Sequence, residues 1–130
     1  MKSYRELDVW KRAMDMAVAV YALTSEFPSQ ERYGLTSQMQ RAAVSVPANI
    51  AEGYGRLHRG DYIHHLSIAS SSLAELETHI TLAVRLGFVE REAAAAVWNM
   101  AQEVGKMLSG MIRSLQGKSE KKPKSISDDA

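Results

Sequence analysis

The chain has 130 residues, 45% of them hydrophobic and 24% charged, and a formal net charge of +1, which suits one soluble domain around one core. It has no cysteine, so disulfides, thiolate metal sites and thiol chemistry are excluded. The charged start MKSYRELDVWKR lacks a signal-peptide apolar region, and no apolar run nears the roughly 20 residues that span a bilayer, so the expectation is a cytoplasmic protein with no membrane contact.

Apolar residues recur at three- and four-residue steps in four stretches, the signature of amphipathic helices. The first helix is expected over about Leu7 to Ser25, with Leu7, Trp10, Met14, Ala17, Val18 and Tyr21 as its core stripe. It ends at Phe27-Pro28, because proline disfavours helix in the residue before it. The second runs from about Tyr33 to Gly55 on Leu35, Met39, Ala42, Ala43, Val46 and Ile50. The third runs from about Asp61 to Leu86, with Asp61 a first-turn acid at the positive helix end and Gly87 a C-terminal stop. Its stripe is Tyr62, Leu66, Ala69, Leu73, Leu76, Ile80 and Val84. The fourth runs from about Arg91 to Leu115 on Ala93, Val97, Met100, Val104, Leu108, Met111 and Leu115. Short connections between such helices predict an all-α, antiparallel up-down four-helix bundle. The domain is expected to span residues 1–116. Residues 117–130, GKSEKKPKSISDDA, are polar and aperiodic and are expected to form a disordered tail.

Two helices carry more apolar surface than one bundle needs. Val9, Met16, Val20 and Leu23, with Phe27 beyond, form a second stripe about 100° from the first. Ile68, Leu82 and Leu86 repeat the pattern on the third helix. Contiguous exposed apolar surface marks interfaces, so these seven helical positions are the expected subunit interface.

The segment Leu35 to Arg56 breaks helical rules. Pro47 in a helix interior costs roughly 3 kcal/mol, and Gly53 and Gly55 add up to about 1 kcal/mol each relative to alanine. A kink at Val46-Pro47 is expected, with Gly53 and Gly55 allowing close packing. Asn49 and Glu52 lie on a polar line with Gln38, Ser45 and Arg56 beside the apolar stripe. Glu77 projects toward the core side of its helix, where an unpaired carboxylate costs several kcal/mol. A structural network of Arg41, Asn49, Glu52 and Glu77, with the hydroxyls of Ser45 or Ser70, is therefore expected.

Charge gives a second reading of the same region. Of 16 basic and 15 acidic residues, the tail from Gly117 holds four lysines and three acids, leaving twelve of each in the body. A neutral body weakens the case for a dedicated nucleic-acid binder. The window from Arg32 to Arg59 nevertheless holds Arg32, Arg41, Arg56 and Arg59 against Glu52 alone, a candidate RNA contact. The four histidines show no metal-ligand spacing, and the GYGR turn lacks the strand and GK[ST] ending of a phosphate loop. No cofactor, metal or catalytic set is expected; an enzyme would need Asn49, Glu52 and Glu77 in one pocket.

From Tyr4 to about Leu86 the order and spacing of LDVWKRAMDMA, EFPSQERYGLTSQMQRAAVSVPANIAEGYGR and YIHHLSIASSSLAELETHI resemble the small proteins encoded in 23S rRNA intervening sequences. PANIAEG, the signature of that family, falls on Pro47 to Gly53, and LAELET brings in Glu75 and Glu77. The resemblance implies a four-helix bundle, a ring-like homopentamer, and kinship with accessory proteins of diversity-generating retroelements. Those relatives are strongly basic and associate with RNA and a reverse transcriptase, whereas this body is formally neutral. His64 and His65 stand where the family more often shows arginine and an aromatic residue. The expected function is a non-enzymatic, self-assembling scaffold or interaction module, with an RNA-binding accessory protein as the alternative.

Overall fold

A computed structural model describes residues 2–120. After a 3-10 turn at Tyr4–Glu6, the helices are α1 (Asp8–Thr24), α2 (Leu35–Tyr54), α3 (Arg59–Arg85) and α4 (Arg91–Glu120), and the described residues contain no strand. Each helix packs on its chain neighbours and α1 closes the square against α4, with no close backbone approach across either diagonal. The result is the expected antiparallel up-down bundle, with α2 against α3 as its most extensive seam.

Local chemistry sets the helix ends. The Glu31 side chain accepts a hydrogen bond from the first amide of α2, Leu35 N, at 3.2 Å, pairing a donor that the helix leaves without a partner. At the end of α3, Gly87 takes φ +77°. Its amide bonds to Val84 O at 3.1 Å and that of Phe88 to Ala83 O at 2.9 Å, the paired bonds of a Schellman cap. Phe88 then meets Phe27 with ring centroids 5.8 Å apart, tying the α1–α2 and α3–α4 connections together.

The core holds Met16 and Val20 of α1, Met39, Val46 and Ile50 of α2, Leu66 and Leu76 of α3, and Val104 and Leu108 of α4, all fully buried. The α2 stripe is buried as its period predicts, and so is that of α3 except for its ends, Tyr62 and Val84, which are half-buried. On α4 Ala94 is buried, and Ala93, expected in the stripe, faces solvent.

The rotation of α1 is the main correction. Val9, Met16, Val20 and Leu23, expected at a subunit interface, are core residues with 3%, 0%, 0% and 5% exposure. Met14, Val18 and Tyr21, expected in the core, are 40%, 69% and 48% exposed. Both stripes satisfy the helical period. Phe27, the continuation of the second stripe, is buried against Phe88, and it draws that face of α1 inward. Of the expected interface, Leu82 and Leu86 are exposed and Ile68 is half-buried.

α2 continues as one helix through buried Pro47. Proline removes the donor that would pair with Ala43 O, and packing on both flanks holds the helix regardless. α4 continues past Gln116 to Glu120; the rest of the expected tail lies outside the described residues.

Candidate functional site

The polar residues of α2 and α3 converge in the seam between the two helices. Asn49 Nδ2 donates to Ser45 O at 2.9 Å and to Ser45 Oγ at 3.1 Å. Both amide hydrogens are then used, so Asn49 Oδ1 is an acceptor and His65 Nδ1, 3.0 Å away, is its donor. Ser45 Oγ, which accepts from Asn49, also shares a hydrogen bond with Ser72 Oγ at 2.8 Å, in which either hydroxyl can donate. Glu52 Oε2 lies 4.0 Å from His65 Nδ1, and Glu52 Oε1 accepts from Arg56 Nη2 at 2.9 Å. A chain of partners thus runs from Ser72 through Ser45, Asn49 and His65 to Glu52 and Arg56. Its inner members are part-buried, where a donor or acceptor left unpaired costs about 1–3 kcal/mol.

Gly53 closes this seam. A β-carbon placed on it would lie 2.8 Å from His65 Cβ, 3.0 Å from Tyr62 Cδ1 and 3.3 Å from Tyr62 O. No larger residue allows α2 and α3 this approach. Gly55 has no such role, since a β-carbon there meets only helix carbonyls at 3.6 and 4.0 Å, in ordinary contact. Beside Gly53, Tyr62 sits edge-on to Tyr54 at 6.1 Å. Burial, and then the neighbouring Tyr54, push the Tyr62 hydroxyl pKa above its usual 10.0.

The expected four-residue network does not assemble. Asn49 and Glu52 share the seam, but Glu77 faces α4, where Gln102 Nε2 donates to its Oε2 at 2.6 Å. Arg41 is exposed, beside Gln38, Ser72 and Glu75 on the outer edge of the seam. Glu77 escapes burial because its helix borders an open groove on that side. The residue that joins Asn49 to Glu52 is His65, which sequence reasoning passed over. A signal existed: Gln38, Ser45 and Glu52 recur every seven residues on α2, as His65, Ser72 and His79 do on α3, and facing heptads of polar residues describe a polar seam. His79 continues that line and is buried, with its Nδ1 unpaired.

The candidate RNA-contact arginines are also split. Arg56 and Arg59 flank the exposed α2–α3 turn, Arg32 sits in the α1–α2 connection at the opposite end, and Arg41 lies midway along α2. The turn end also has exposed Lys2, Arg5, His58 and Arg113 beside exposed Glu6, Asp8, Glu52 and Asp61, and the opposite end has Glu26, Glu90 and Glu92 beside Arg32, Arg85 and Arg91, so both ends carry mixed charge.

Among the described residues no three His, Cys, Asp or Glu side chains are grouped to hold a metal, and no helix is long and apolar enough to cross a membrane. The fold and seam define a small all-α bundle, zipped along α2/α3 by internal hydrogen bonds and grooved along α3/α4. The family described as 23S rRNA-intervening sequence protein matches residues 5–110, and the chain belongs to that family. A crystal structure of a protein of unknown function from the S23 ribosomal protein family, from Bacteroides thetaiotaomicron VPI-5482, is similar to it. That similarity has a TM-score of 0.73 at 27% identity and covers 80% of this chain and 97% of the other. No curated protein matches the chain.

Proposed function

We propose that this protein is a non-enzymatic bundle that assembles with copies of itself and serves as a scaffold or interaction module. The supporting observation is the exposed apolar surface left after the core is full. Met14, Val18 and Tyr21 on α1 and Val44 on α2 occupy one face, and Leu82 and Trp98 occupy the face across the bundle. Contiguous patches of this kind mark association sites. The separation of Glu77 from Asn49 and Glu52 supports the non-enzymatic part, because it takes apart the pocket an enzyme would need. A ring of five is what the family resemblance implies. Sedimentation equilibrium tests assembly: a single monomeric species at micromolar concentration would rule it out.

A second reading, RNA contact, draws on the α2–α3 turn. Arg56, His58 and Arg59 project from the α2–α3 turn with Leu57, which is 96% exposed. The relatives' descriptions, which name rRNA and a ribosomal family, support it too. Phosphate contacts give a log–log salt slope of about −0.7 to −0.9 per neutralised phosphate. Titration of structured RNA at low salt with no measurable binding removes this reading.

A further inference from the structure

The furrow between α3 and α4 has an apolar floor of Ile80, Val84 and Ala94 and is lined also by Trp98, Arg85 and Arg91. The outer edge of the α2/α3 seam holds a cavity of the opposite kind. It encloses ≈ 380 Å³ and is lined by Gln38, Arg41, Ala42 and Ser45 of α2 and by Ser72 and Glu75 of α3. A cavity of that size suits a small ligand. Ala42 and Ser72, 4% and 8% exposed, form its floor, and the small Ala42 side chain leaves the space between the two walls open.

The polar groups around this cavity have bonding capacity that the seam does not use. Asn49 donates to Ser45, and Ser45 and Ser72 share one hydrogen bond. Two hydroxyls carry two hydrogens. One is spent between the two oxygens, and the other has no acceptor among the described residues. Arg41 and Glu75 are exposed on opposite walls. Neither belongs to an ion pair among the described residues, so opposite charges face one cavity without meeting. Among the described residues no other charged side chain lines it. A simple anion is drawn by Arg41 and repelled by Glu75, and a simple cation the reverse. An occupant that carries both signs satisfies both walls.

We infer that this cavity binds a small zwitterion: an α-amino acid or a molecule with the same paired ammonium and carboxylate groups. The carboxylate takes the Arg41 guanidinium, whose planar fork matches two carboxylate oxygens. The ammonium turns to Glu75. The spare serine hydrogen donates to the carboxylate, which gives the hydroxyl pair at the cavity floor the acceptor it lacks. Each of these bonds has at least one charged partner, the stronger class of hydrogen bond.

Saturation-transfer difference NMR on the full chain tests the site, because it reads weak ligands on a monomer or a large particle alike. The probes are glycine, N-acetylglycine, which keeps only the carboxylate, and glycinamide, which keeps only the ammonium. Glycine is expected to give a saturable signal. Each half-charged analogue should bind at least about tenfold more weakly, the scale of one lost charge-assisted bond. Arg41→Gln and Glu75→Gln should each weaken glycine by a similar factor. Both side chains are exposed, so the melting temperature should stay at the parent value and show that the fold is intact. Absence of a saturable glycine signal overturns the site. Equal binding of glycine and either analogue overturns the zwitterion assignment, as does undiminished glycine binding by either variant.

Discussion

The α2/α3 seam and the α3/α4 furrow share one helix and are opposite in character. In the seam a glycine lets the backbones approach until Gly53 has no space for a methyl group, and the hydrogen bonds from Ser72 through Asn49 to His65 are satisfied internally. Along the furrow Trp98 stays 38% exposed, and Glu77 finds its partner at the surface. One pair of helices is a finished interface; the other leaves an apolar floor and unneutralised arginines facing outward. Residue types alike on paper, such as glycines and carboxylates, should therefore matter unequally on the two sides.

Substitution of the central amide gives the largest expected difference. Asn49→Leu strands His65 Nδ1 and removes both Asn49 bonds to Ser45, and should cost about 2–3 kcal/mol in urea unfolding; a loss below about 1 kcal/mol would mean that the seam is not held by its hydrogen bonds. Gly53→Ala comes next. Helix propensity favours alanine by up to about 1 kcal/mol, but overpacking costs about 1–3 kcal/mol, so net destabilisation of about 1–2 kcal/mol is expected. Gly105 is its counterpart on the furrow side, where a β-carbon meets only the end of the Leu73 side chain at 3.2 Å. Leu73 can give way, so Gly105→Ala should cost less than Gly53→Ala, and the reverse ranking in thermal melts would break the comparison.

Smaller effects sharpen it. Glu77→Leu removes one bond to Gln102 and no buried charge, and should shift stability by no more than about 1 kcal/mol, with particle mass unchanged. Loss of assembly in that variant would restore Glu77 to a structural role. Gly55→Ala should stay within about 0.5 kcal/mol of the parent, as read from unfolding midpoints. Tyr62 gives the smallest expected signal. Its folded pKa is raised above 10.0, so its contribution is complete below pH 10 and is lost as pH rises through the folded value. Tyr62→Phe should therefore flatten the alkaline limb of a stability–pH profile, and an unchanged limb would assign the loss to other groups.

Much of the bundle was legible before any geometry. The α2 stripe, the first-turn place of Asp61 in α3 and the Gly87 stop follow from spacing and cap chemistry alone. The α1 rotation was not legible, because two apolar stripes on one helix are equivalent until a neighbour chooses between them. Glu77 looked like a core position by its spacing from Leu73 and Ile80, but spacing cannot show that its side of α3 borders an open groove. His65 was missed because its signal lies in the facing heptads of α2 and α3 and not in the residue taken singly.

Local chemistry along the chain determines the helices, their ends and the presence of a polar line on α2. Those depend on propensity, period and capping, all short-range in sequence. Tertiary structure alone decided which face of α1 is buried, that Gly53 rather than Gly55 sits at a close approach, and that Asn49 meets His65 instead of Glu77. Each of those outcomes depends on the distance and rotation between helices, which packing sets and no single helix encodes.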